Sequence, residues 1–152
     1  MFVMHEVKAT EYGLYLRVKG SPDPVEGKII LAEIHRVIKT RKTGFCVFSD
    51  LREMKLMSDD SQAICLEVQQ LILSAGVKRA AVILGNATVA YQFKRLSLQS
   101  GMFDFHRYID SSNEPDWERK GLEWLTKEID PDAEWREEIA RKRLEQENSI
   151  SD

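Results

Sequence analysis

A run of apolar residues, a capped helix and an alternating run, in that order over residues 79–108, leave this chain few ways to fold. Ala80 to Leu84 is unbroken apolar sequence, short enough for a strand and too apolar for a sheet face in water. Gly85 ends it, Asn86 reads as an N-cap, and Val89, Phe93 and Leu96 follow at helical spacing. Ser100-Gly101 stops that helix. Phe103, Phe105, Arg107 and Ile109 then alternate with Met102, Asp104, His106 and Tyr108, the period of a strand. Strand, helix and strand predict a parallel pair closed by a right-handed crossover.

The remaining segments extend this pattern. Residues 2–9 and 13–19 read as strands joined by the reversal Thr10-Glu11-Tyr12-Gly13, a β-hairpin. Asp23 caps a helix with Pro24 at its first position, and Val25, Ile29, Ile30, Ile34, Val37 and Ile38 give that helix its apolar face. Phe45 to Phe48 is a second wholly apolar strand, closing on Ser49-Asp50. After a polar connection, Ser58 caps a helix with Asp59 and Asp60 in its first turn and Ile64, Val68, Leu71, Ile72 and Ala75 behind. Trp117, Gly121, Trp124 and Leu125 mark one face of a later short helix. From Ala133 to Gln146 the chain is helix-prone but charged nearly all round, with Trp135, Ile139 and Leu144 its only large apolar residues. The order β-β-α-β-α-β-α-β-α predicts an α/β sandwich: a mostly parallel sheet of about five strands with helices packed on it, an opening hairpin and an extra C-terminal helix. Residues 1–127 are expected to form the domain, and residues 128–152 an acidic helix and tail.

Charge and composition narrow the function. The formal charge of −3 gives no reason to expect nucleic-acid binding. It is uneven, with nine acidic against four basic residues from Glu128 to Asp152. No apolar run is long enough to span a membrane, no signal peptide is readable, and Cys46 and Cys65 sit in apolar surroundings as free thiols, which together predict a cytoplasmic protein. His5, His35 and His106 lie on separate elements without metal-ligand spacing. There is no phosphate-binding loop, no Gly-x-Gly-x-x-Gly and no Gly-x-Ser-x-Gly, so neither an enzyme nor a cofactor is expected.

The hairpin Glu6-Val7-Lys8 with Leu14 to Gly20, and above all Ala87-Thr88-Val89, Phe93 and Ser100-Gly101-Met102-Phe103, resemble the STAS family of anti-sigma factor antagonists. The resemblance covers residues 2–127 in order of elements and is strongest at 86–103. It implies a bacterial regulatory domain that acts by protein contact. That family's phosphorylated serine lies at the start of the second helix. Ser58-Asp59-Asp60-Ser61-Gln62-Ala63 is the matching run here, and it puts Asp59 at the phosphoacceptor position. Asp59 is no substrate for a serine kinase and already carries a negative charge; Ser58 or Ser61 could stand in for it, but each reads as a cap or solvent-facing residue. The placement that fits is a diverged STAS-like branch that also resembles CRAL-TRIO lipid-binding domains.

Two surfaces follow as candidates. Asp50, Arg52, Ser58, Asp59, Asp60 and Ser61 form the expected contact with another protein, a regulator or a kinase-like partner. Asn86, Thr88, Asp110 and Ser111 lie at the carboxyl ends of parallel strands, where ligands of open α/β sheets bind and helix N-termini point unpaired N–H groups. The same residues also serve as helix caps and turn closers, and that reading stands beside the ligand one. Lys94, Arg95, Arg107, Lys78 and Arg79 form a basic cluster that reads as a solvated face or a dock for an acidic partner. The helix around Trp135 would support a homodimer. The alternative to a protein-contact module is a carrier of a small molecule, lipid-like or nucleotide. A closed apolar pocket lined by Met54, Met57, Phe93 and Phe103 would favour the carrier.

Overall fold

The structure, a computed structural model, describes residues 5–151. Five strands form one sheet in chain order: β1 (His5–Ala9), β2 (Gly13–Val18), β3 (Cys46–Leu51), β4 (Arg79–Leu84) and β5 (His106–Asp110). β1 and β2 are antiparallel, and every other neighbouring pair is parallel, β3 and β4 included. The hairpin closes where the sequence places it, with Thr10 and Gly13 exchanging backbone hydrogen bonds at 3.0 and 3.2 Å. Residues 2–4 of the expected first strand lie outside the described residues.

Because the strands advance in one direction, the crossover helices α1 (Pro24–Ile38), α2 (Asp59–Ser74) and α3 (Ala87–Ser100) all fall on one face. There Ile30, Ile34 and Ile38, Ile72, and Val89, Phe93 and Leu96 cover Leu14, Leu16, Val47, Leu51, Ala80 and Val82. α4 (Trp117–Lys127) covers the other face, with Trp124 and Leu125 on Phe48, Ala81, Ile83 and Ile109. α4 lies close to the sheet because Gly121 has no side chain; a Cβ there would stand 2.7 Å from Phe48 Cε2. Strands covered on both faces explain why β3 and β4 carry no alternation.

The caps form as expected: Asp23, Ser58 and Asn86 accept from the N–H groups of Glu26, Ser61 and Val89. Gly101 ends α3 at φ 91°, a left-handed conformation that glycine adopts without strain. Three expectations need correction. Val25 and Ile29 are exposed, and Gly27 takes an inward place on α1, against Ile64. β3 runs on to Leu51, so Ser49 and Asp50 are interior strand residues. β5 begins only at His106, because Phe105 and His106 both donate to Met102 O in a turn that leaves Phe103 exposed. The C-terminal helix α5 (Ala133–Ser151) is longer than expected. It is exposed through Ile150 apart from half-buried Ile139, and is tied at its base by Arg136 to Asp130 at 3.5 Å. Among the described residues no helix is long and apolar enough to cross a membrane.

Candidate functional site

The polar residues at the carboxyl ends of the strands turn largely on one another. Asp50 is buried, and its two oxygens accept from Arg52 Nε and Nη2 at 2.9 Å each. That guanidinium lies 3.9 Å from the Trp117 ring centroid, linking the end of β3 to α4. Ser61 is buried rather than solvent-facing and donates to Pro22 O at 2.8 Å. Of the expected contact residues, Ser58, Asp59 and Asp60 are exposed at the start of α2, Arg52 is half-buried, and Asp50 and Ser61 are inside.

The second set separates as well. Asn86 Oδ1 caps α3 at 2.9 Å from Val89 N, and Ser111 Oγ donates to Leu84 O at 3.0 Å. Asp110 accepts from Ser112 and Asn113, and the Ser112 hydrogen bonds hold its carboxyl below the ordinary range. Asn86 and Asp110 do converge, lining an open groove with Tyr91, Lys94 and Tyr108, while Thr88 and Ser111 lie outside it. The basic cluster does not form: Arg107 is buried, bonded to Asp130 at 2.9 Å and set 4.3 Å from the Trp124 ring centroid, and Arg79 donates to Leu125 O.

An apolar cavity of about 80 Å³ lies beneath these rims, walled by residues of the sheet and of α1, α2 and α3. Met54, Met57 and Phe93 line it as expected; exposed Phe103 does not, and buried Met102 takes its place. Leu16, Val18, Val47, Leu51, Ile30, Ile64 and Ile72 supply more of the apolar wall. Its polar residues are Ser49, Ser61, Gln69 and His106, with the Cys65 thiol, which burial pushes up to about 12. That value makes Cys65 an inert thiol at neutral pH.

Sequence reasoning missed Ser49 and His106 as site residues. In the parallel register Ser49 lies between Leu16 and Val82, a hydroxyl in an otherwise apolar row. His106 Nδ1 lies 3.1 Å from Ser97 Oγ and 3.3 Å from Tyr108 OH, and burial pushes the imidazole down to about 3. The ring is therefore neutral at physiological pH. Ser97 is fully buried and lies outside the cavity wall, so the Ser97–His106 pair presents no nucleophile to a bound molecule. Among the described residues no group of three or more His, Cys, Asp and Glu is placed to hold a metal ion.

The chain matches no protein-family model and no curated protein. A parallel sheet in chain order, opened by one antiparallel strand, with three crossover helices on one face, is a SpoIIAA-like fold, SpoIIAA being a STAS domain and anti-sigma factor antagonist. The chain is similar to the crystal structure of an uncharacterized protein from the DUF3478 family with a SpoIIAA-like fold from Shewanella loihica PV-4. Identity is 13% and the TM-score 0.57, over 80% of this chain and 91% of that one. The NMR structure of the protein TM1081 aligns at 12% identity and a TM-score of 0.48, over 79% and 92% of the two chains. The fold expected from the resemblance is thus the fold the chain has.

Proposed function

We propose that this chain is a non-catalytic binding domain that holds a small apolar molecule between its sheet and helices α1–α3. One observation carries the reading: the cavity of about 80 Å³, walled by methionines and aliphatic side chains from both layers. The volume exceeds that of one water molecule and its wall is almost wholly apolar, the setting in which a cavity takes up a small apolar guest rather than water. The test is release of that guest. Native chain is purified under mild conditions, denatured in organic solvent, and the extract analysed by mass spectrometry, beside a Cys65→Met variant whose longer side chain enters the cavity. A small molecule near one per chain, absent from the variant, is expected. An empty extract, together with no rise in Tm on adding toluene to the extracted and refolded chain, would overturn the reading.

A regulatory protein contact through the start of α2 is the second reading, and a separate observation favours it. Ser58, Asp59 and Asp60 are exposed together at the position where the STAS resemblance expects a partner. Met57 and Ser61, on either side of them, line the cavity. Occupancy of the cavity and the shape of this surface are therefore adjacent properties of one segment. Affinity capture with wild type and the Asp59→Ser, Asp60→Ser double variant tests it; identical partners from both would remove α2 as the contact.

A further inference from the structure

We infer that the cavity's ligand is an uncharged, mostly apolar molecule bearing hydroxyl or carbonyl oxygen, hydrogen-bonded by the Ser49 hydroxyl or by His106 Nε2. This rests on reading the cavity as a ligand site and adds the chemical class of the ligand.

Polar groups in the cavity wall fall into two kinds. Ser61 Oγ is committed to Pro22 O, and Gln69 bonds Ser100 and reaches Cys65 Sγ. Ser49 Oγ and His106 Nε2 have no hydrogen-bond partner among the described residues, although the residues are only 7% and 5% exposed and both line the cavity. Among the described residues, the side-chain atoms that are fully occluded without a partner are Arg41 Nε and Arg79 Nε. Ser49 Oγ and His106 Nε2 are thus not sealed against packed atoms, and the open volume beside them is the cavity. Polar atoms that face such a volume are satisfied by whatever occupies it, water or ligand. The Nδ1 of His106 is engaged by Ser97 and Tyr108, so in either neutral tautomer Nε2 is the nitrogen left to face the guest.

Charge decides the class. Among the described residues no Lys, Arg, Asp or Glu lines the cavity, and the neutral His106 offers no counter-ion. A carboxylate or phosphate would be buried without a partner, a strongly unfavourable state. Fatty-acid anions and nucleotides are thereby excluded, and alcohols, ketones and similar neutral molecules remain. Ser49 and His106 lie two strands apart and two residues apart in register on the same face of the sheet, a Cα separation of roughly 12 Å. A short chain or small ring with oxygen at one end reaches either group while its apolar part lies against Met54, Met57 and Phe93.

Three probes separate the inference from the reading beneath it: toluene, 1-hexanol and hexanoate, titrated at neutral pH into ligand-free chain and followed by amide chemical shifts. Toluene and 1-hexanol are expected to bind saturably with shifts centred on the cavity wall, and hexanoate is not. The Ser49→Ala, His106→Phe double variant is expected to weaken 1-hexanol by roughly three- to tenfold, the loss of one hydrogen bond, and to leave toluene unchanged, and the single variants show which group holds it. If 1-hexanol is indifferent to both substitutions, or hexanoate binds equally well, the inferred ligand class falls and the carrier reading stands. If neither toluene nor 1-hexanol binds, the carrier reading itself falls. His106→Leu, also without a hydrogen-bonding group, takes the place of His106→Phe in both variants should the phenylalanine not fold.

Discussion

Acidification singles out His106. An ordinary imidazole titrates near 6.5, and burial pushes this one down to about 3. Between those values the unfolded chain binds a proton that the folded chain excludes, so stability falls as the pH drops below about 6.5. Above that window the ring is neutral in both states and adds no pH dependence. Each unit inside the window removes ~1.4 kcal/mol, so going from about pH 7.5 to about pH 5 removes about 2 kcal/mol. For a chain of this length that is roughly 4–8 °C in Tm. Stopping near pH 5 avoids most of the loss from Glu53, Asp110, Glu114 and Asp130, whose lowered values supply stability above the ordinary carboxylate range that is lost as the pH falls through it. Urea unfolding of wild type and His106→Phe at both pH values isolates the effect, since contributions common to the two chains cancel. Wild type is expected to lose about 2 kcal/mol more than the variant. Parallel losses in the two chains would show that the ring titrates as a solvated histidine does, and the description of its burial would be wrong.

Three further outcomes are expected. Ser49→Ala, measured on ligand-free chain, leaves Tm unchanged or raises it by up to roughly 2–4 °C, because it deletes a hydroxyl without a partner; a clear fall would mean that the hydroxyl is bonded. Gly121→Ala forces a Cβ against Phe48 and destabilises by ~1–3 kcal/mol in urea, visible as a lower midpoint at unchanged slope. A chain ending at Arg136, which removes most of the exposed α5, unfolds within ~0.5 kcal/mol of the full chain, since the lost residues cover no core; a larger change would make α5 part of the domain.

Much of the fold is legible in the sequence because its signals are local. Asn86 and Gly101 bracket α3 by cap chemistry that needs no tertiary context. The parallel pairing of β3 and β4 follows from two apolar runs with a helix between them. The errors come from features that apolar counting cannot register. Gly27 contributes nothing to a hydrophobic pattern, yet it lets α1 approach Ile64, while Val25 and Ile29, which do count, fall outside the buried arc. The alternation from Met102 to Phe105 has the period of a strand but belongs to a turn with buried Met102 at its base. Asp50 and Ser49 look like the polar end of a strand, and only the second covering layer makes them interior. The candidate site is less legible still. Ser49 and His106 share a cavity wall through a register that spans three strands, and the sequence separation between them carries no trace of it.

Strand order equal to chain order has a consequence for biosynthesis. Each strand docks on the one made just before it, so the sheet can grow while the ribosome is still translating, without threading a late segment between two early ones. The vulnerable moment comes after β4 is made and before β5 emerges. Ala80–Leu84 is then an open border, with every side chain apolar and its hydrogen-bonding groups unsatisfied on one side. A translation product halted before His106 would expose that border to a second nascent copy, which makes this interval the one in which self-association is most favoured.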